Sequence, residues 1–286
     1  MINRLVSGLA LVAFALTAML PVSCRKAETS KRTLQVFCGA ASKPAMEECA
    51  TAFEKKTGIK VEVEYGGSGT LLSKMKMSGR GDVYIPGSPD YMVKAQRDGI
   101  TDPAGVKIAA YLVPAILVQK GNPKGIRTLE DLARPGMRVG IGNPEAVCVG
   151  LYAVEILAGA GLLDSVKTNI AVHAESCEKT AALVVLRQVD AVIGWDVFAS
   201  WSPDSTAAVM IDPAKVPRIA YVPAAVCRTS KDPAAAREFV DFLSSVEAHG
   251  VFSRLGYITE EQEARKLAPN AGVSGEYTLP ADYNRP

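Results

Sequence analysis

Between residues 33 and 255, short apolar runs alternate with segments whose apolar residues recur at helical spacing. This alternation constrains the fold more than any other feature. Strand, helix, strand in repetition predicts a mainly parallel sheet flanked by helices. Residues 33–38 read as the first strand. A helix follows, with Met46, Cys49, Ala50 and Phe53 on one face, Ser42 placed to cap it, Pro44 in its first turn and Gly58 at its end. Ile59, Val61 and Val63 alternate as a second strand. The run Gly66-Gly67-Ser68-Gly69-Thr70 then turns into a helix bearing Leu71, Leu72 and Met75. A third strand over 82–85 precedes a helix over 89–98.

The stretch 141–152, I-G-N-P-E-A-V-C-V-G-L-Y, is the most informative turn. An apolar strand runs to Ile141, and Gly142, Asn143 and Pro144 break it, as turn residues do. Gly150 is predicted to open a helix with Leu151, Val154, Leu157 and Leu162. A helix start leaves backbone N–H groups unpartnered and carries a partial positive charge, so it can hold an anion without a charged side chain. Cys148 lies in the same turn. Ligands of such sheets bind at the carboxyl ends of strands. Ser42, Ser68 and this turn all fall there, although capping is the commoner role of each serine. A further strand over 170–173 leads into Glu175-Ser176-Cys177 and another helix, and residues 192–195 form one more strand.

Two apolar strands carry a proline, 111–119 and 219–227. They bracket the middle of the chain, as two crossing strands bracket a lobe inserted into another. The expected lobes are 33–112 with 220–286, and 113–219.

Upstream, Arg4 and the uncharged apolar run 5–20 have the form of a secretory signal rather than a membrane span. Small residues before Cys24 match a bacterial lipobox, with Pro21 where leucine is usual. Residues 1–24 are therefore read as a lipoprotein-type signal ending at Cys24, and 25–32 as a tether. The expected location is periplasmic or cell-surface, anchored to the membrane through a lipid on Cys24. Lys and Arg total 32 against 30 Asp and Glu, scattered along the chain, which argues against nucleic acid as a partner. Beyond Cys24 there are five cysteines, Cys38, Cys49, Cys148, Cys177 and Cys227, without a C-x-x-C. Only two histidines occur, so no His-based metal site is expected.

Taken as an ordered set, V-F-C-G-A-A-S-K-P-A-M, G-G-S-G-T-L, G-D-V-Y-I-P-G-S, G-N-P-E-A-V-C-V-G-L-Y-A and A-A-A-R-E-F-V-D-F-L resemble the periplasmic molybdate-binding proteins of ABC importers. The resemblance implies a type II periplasmic binding protein fold, two α/β lobes joined by two crossing strands. It also implies a monomer without cofactor or enzymatic activity. Such a protein holds a tetrahedral oxyanion, molybdate or tungstate, between its lobes and delivers it to an ABC permease and its ATPase. By the same resemblance the ligand contacts are the hydroxyls of Ser42 and Ser68 and the backbone N–H groups of Val149 and Cys177. Two positions depart from the pattern. Ile193 stands where a tyrosine is usual, and Cys148 replaces a proline, so both are possible further contacts.

Two alternatives use the cysteines. Soft sulfur ligands select soft metals, metalloids or thio-anions, and Cys148 and Cys177 both fall on turns facing the cleft; a disulfide between them, or two inert thiols, is equally compatible with the sequence. An enzyme built on His173, Glu175 and Cys177 is the other, with a Cys–His pair as nucleophile and base. No thiol-enzyme signature surrounds either cysteine.

Overall fold

A computed structural model describes residues 32–281 and 283. The signal, Cys24 and most of the tether read from the sequence lie outside these residues. No helix among those described is long and apolar enough to cross a membrane.

The chain begins β1 (Thr33–Gly39), α1 (Lys43–Thr57), β2 (Lys60–Gly66), α2 (Ser68–Ser78), β3 (Val83–Ile85), α3 (Pro89–Arg97) and β4 (Lys107–Leu112). After one residue, Val113, it continues as β5 (Pro114–Gln119). Then follow β6 (Val139–Gly142), α4 (Cys148–Gly159), α5 (Leu163–Lys167), β7 (Ile170–Ala174), α6 (Cys177–Val185), β8 (Ala191–Trp195), α7 (Phe198–Trp201) and β9 (Thr206–Met210). Finally come β10 (Ala220–Val226), α8 (Pro233–Leu243), α9 (Val246–Arg254) and α10 (Glu261–Leu267).

These strands make two five-stranded sheets, ordered β2-β1-β3-β10-β4 and β7-β6-β8-β5-β9, each flanked by helices as one α/β lobe. Both are mixed, not mainly parallel as the alternation alone suggests. β10 runs antiparallel to β3 and β4, and β5 antiparallel to β8 and β9. The reason lies in the connections. A strand that returns from the other lobe need not pass through a right-handed helical crossover, so it enters its sheet in the opposite direction.

The apolar run 111–119 is one segment in sequence and two strands in space. Leu112 pairs with Ala220 in the first sheet, and Pro114 pairs with Trp195 in the second. Val113 between them is held on both sides by Asp196. Val113 N donates to Asp196 Oδ1 at 3.1 Å, and Asp196 N donates to Val113 O at 2.8 Å. Proline 223 sits at a register shift of β10, where a missing N–H is tolerated.

Burial pushes the Asp196 carboxyl up to about 6, against backbone hydrogen bonds that act the other way. The folded state therefore holds this proton more tightly than the unfolded chain, whose aspartates titrate near ~4. Folding takes up a proton between these values, so stability should fall as pH rises from about 4 to about 6. Asp196→Asn is expected to flatten that dependence. Urea denaturation at a series of pH values checks it, and an unchanged slope in the variant would assign the effect to another group.

The C-terminal segment, expected in lobe one, touches both lobes: Tyr277 N donates to Asp90 Oδ1 of α3, and Arg97 of α3 pairs with Glu276. Ala264, Ala268, Ala271 and Tyr283 are buried in the second lobe's core with Ile116, Val139, Ile141 and Leu157. The polar composition after Gly256 concealed this, because only a few small apolar residues carry the contact.

Candidate functional site

The carboxyl ends of β1, β2 and β3 deliver three turns to one point. The turn after β1 is a 3-10 segment, Ala40–Ser42, ending at the N-cap of α1. Ser42 makes no capping hydrogen bond. Its Oγ lies 3.3 Å from Cys38 Sγ and 3.4 Å from Gly39 O, and the residue is fully buried. Tyr257 donates to Ala41 O at 2.9 Å and holds this turn from behind. Ser68 is the first residue of α2, not its cap, which is Gly67. Its Oγ accepts the N–H of Gly87, in the turn after β3, at 3.0 Å, and Tyr84 donates to Ser68 O at 2.7 Å. Gly39 joins the two serines. A Cβ there would lie 2.9 Å from Ser68 Oγ and 2.7 Å from Gly87 N.

The second lobe presents two helix starts to the same point. α4 begins at Cys148, two residues earlier than the sequence suggests, so Cys148 and Val149 both lie in its first turn. Gly150 is needed for close packing rather than for opening the helix. α6 begins at Cys177, and Ser176 caps it by accepting the N–H of Lys179 at 3.1 Å. The first N–H groups of any helix lack acceptors within it. The two thiols meet at 3.5 Å, and neither is in a disulfide. Hydrogen bonding from Ser68 and from the Val149 backbone bears on the Cys148 sulfur, yet burial and the adjacent Cys177 hold this thiol well above its ordinary pKa. A Cβ at Gly87 would lie 2.7 Å from the same sulfur.

The lobes are closed around this cluster. Gly69 N donates to Ala146 O at 2.8 Å across the cleft, and Lys43 pairs with Glu178. Gly67 has no room for a side chain, since its Cβ would fall 2.8 Å from Glu175 O and 2.9 Å from Ala146 O. A single apolar cluster crosses the closed cleft, taking in Ala40 and Ala41 from one lobe and Val147, Val149 and Trp195 from the other. Cavities of about 450 and 530 Å³ flank the serines without enclosing them.

Of the residues named from the sequence, Ser42, Ser68, Cys148, Val149 and Cys177 are brought together, each 2% exposed or less. Ile193 is not. It pairs with Ile116 and faces the second lobe's core, because side chains alternate along β8 and Val192 takes the other face. The Cys–His arrangement also fails to form. His173 Nε2 is 3.2 Å from Tyr283 Oη, Glu175 pairs with Lys179, and Cys177 faces Cys148. Sequence reasoning missed Cys38, which touches Ser42, and the Gly87 N–H. The latter follows a third strand and opens a third turn, P-G-S, which was the available signal. No group of three or more His, Cys, Asp or Glu side chains that could hold a metal ion occurs among the described residues.

Comparison with known proteins places the chain among relatives. The molybdate-binding protein ModA of Escherichia coli is 28% identical over 231 residues, covering 78% of this chain and 88% of that protein. The periplasmic molybdate-binding protein of Azotobacter vinelandii superposes with a TM-score of 0.68 at 20% identity, over 80% of this chain and all of that one. The sulfate-binding protein SubI of Mycobacterium tuberculosis superposes with a TM-score of 0.72 at 19% identity, over 85% and 94%. These neighbours share the type II periplasmic binding fold. The family described as bacterial extracellular solute-binding protein matches residues 34–258. The chain belongs to that family of ABC-importer solute-binding proteins.

Proposed function

We propose that the chain captures a tetrahedral oxyanion, molybdate or tungstate, between its lobes and delivers it to an ABC permease and its ATPase. One observation carries this reading. Two buried serines, neither making a capping hydrogen bond, sit at the carboxyl ends of the first lobe's strands, and the Ser68 hydroxyl reaches Cys148 at the start of α4, whose thiol meets Cys177 at the start of α6. A doubly charged tetrahedral anion offers four acceptor oxygens. Hydroxyls and helix-start N–H groups satisfy them with no fixed cation, at ~1.5–3 kcal/mol for each charge-assisted bond. No carboxylate is among the groups that meet at this point, so an anion that carries a proton, as phosphate does, finds no acceptor for it.

Titration calorimetry with molybdate, tungstate, sulfate and phosphate tests the reading. Molybdate and tungstate should bind well above phosphate, and equal affinity for phosphate at neutral pH would overturn the donor-only site. Ser42→Ala and Ser68→Ala should each weaken molybdate binding by ~1–3 kcal/mol, the cost of a lost bond to a charged group. Both variants should keep their fold, and unaltered affinity in both would move the site elsewhere.

The contacts in this reading are Ser42 Oγ, Ser68 Oγ and the N–H groups of Val149 and Cys177, with Gly87 N–H positioning Ser68. The lobes are taken as 33–112 with 220–286, and 113–219. The protein acts as a monomer held at the outer face of the membrane by a lipid on Cys24. Palmitate or another acyl label on the full chain, lost in Cys24→Ser, checks the anchor.

A further inference from the structure

An anion site made of hydroxyls and N–H groups leaves two of its neighbours without a role. Cys148 Sγ and Cys177 Sγ are 3.5 Å apart and unbonded, at 1% and 2% exposure. They come from the first residues of two helices that both abut the cleft, and Cys148 touches the opposite lobe at Ser68 and Gly87. The other thiols are placed differently. Cys38 contacts Ser42, while Cys49 and Cys227 are buried in the first lobe's core. No carboxylate or imidazole completes a cation site around the pair among the described residues.

Geometry separates the thiophilic ligands. With sulfur bonds of ~2.3 Å, a centre that holds two sulfurs in a straight line sets them ~4.6 Å apart, and one that holds them at roughly 100° sets them ~3.5 Å apart. The observed 3.5 Å suits the second, a pyramidal trivalent centre, and not the linear coordination of a soft monovalent ion. We propose that Cys148 and Cys177 form a dithiol site for the oxyacid of trivalent arsenic, within the same cleft. The inference rests on the cleft being the ligand site.

The step balances without an oxidant. Two As–O bonds of arsenous acid break and two As–S bonds form. Each thiol proton leaves with one hydroxyl as water, and arsenic stays trivalent. The third hydroxyl remains on arsenic beside the Ser68 hydroxyl. Condensation of this kind consumes neutral thiols, which is the form that burial favours for Cys148.

The full chain, kept reduced with a phosphine, is to be titrated with sodium arsenite. Native mass spectrometry should show one arsenic per chain, added with the loss of two waters. Alkylation after unfolding, read peptide by peptide, should show Cys148 and Cys177 protected. Cys148→Ser and Cys177→Ser should each lower arsenite affinity by ~10²–10⁴-fold, since chelation by two linked groups is lost, while Cys49→Ser leaves it unchanged. Cys148→Ala serves if the serine variant unfolds. Protection at other cysteines, or affinity that survives both serine variants, overturns the site. Molybdate titration of the same samples separates the two readings. Molybdate without arsenite binding removes the dithiol site alone, and arsenite without molybdate binding removes the oxyanion reading alone.

Discussion

Arg218→Met is expected to destabilise the protein by ~3–5 kcal/mol, the usual cost of leaving buried charge uncompensated. Arg218 lies just ahead of β10 and is 8% exposed. Its guanidinium makes a bidentate pair with Glu155 of α4, at 2.9 and 2.6 Å, and reaches Asp90 of α3 at 3.1 Å. It also donates to Gly275 O at 2.9 Å and stacks 4.4 Å from the Tyr152 ring centre. Asp90 is fully buried and accepts Tyr277 N at 2.9 Å. One cation thus pairs with a carboxylate from each lobe and pins the C-terminal segment to both. At ~2–4 °C per kcal/mol for a chain of this size, the melting temperature should fall by about 10 °C. Adding Asp90→Asn and Glu155→Gln should recover most of the loss, because the orphaned charges are then gone. A single variant that melts like the parent would mean that water reaches this triad freely.

Gly150→Ala should remove oxyanion binding while its neighbour in the same helix, Gly159→Ala, should not. A Cβ on Gly150 would lie 2.0 Å from Gly142 O, a backbone atom that cannot swing aside, whereas one on Gly159 meets nothing within 4 Å. The first change must push the start of α4 off the end of β6, at ~1–3 kcal/mol of overpacking. It moves the Val149 N–H with it, and each lost donor weakens binding by a further ~1–3 kcal/mol. The second should be neutral or stabilising by ~0.5–1 kcal/mol, as Gly is a poor helix former. Calorimetry with molybdate and urea denaturation read the two effects separately. Equal binding by both variants would show that α4 contributes nothing to the site.

The order of strands and helices was legible because apolar period and turn residues are local signals. The positions of Ser42 and Ser68 at the carboxyl ends of strands were legible for the same reason, whereas the start of α4 was read two residues late. The direction of β5 and β10 was not legible. A strand's sequence is the same whichever way its partner runs, and only the path between lobes decides it. Strand β9 went unread, because its Ala-rich run T-A-A-V-M has weak periodicity. The face that Ile193 takes was not legible for a related reason. Matching a position to a family pattern gives no face, and a shift of one residue along a strand turns the side chain to the other side. The Arg218 triad was equally hidden, since its members are separated by 63 residues or more in sequence.

The C-terminal segment that carries Ala264 and Tyr277 also bears on how the chain folds. Its contacts close loops as long as 187 residues, from Tyr277 back to Asp90, and the first lobe likewise waits for Tyr257 to reach Ala41, 216 residues away. Contacts so distant in sequence slow folding. These closing contacts can form only after Tyr257 and Tyr277 have been made, so they belong to the late steps of folding.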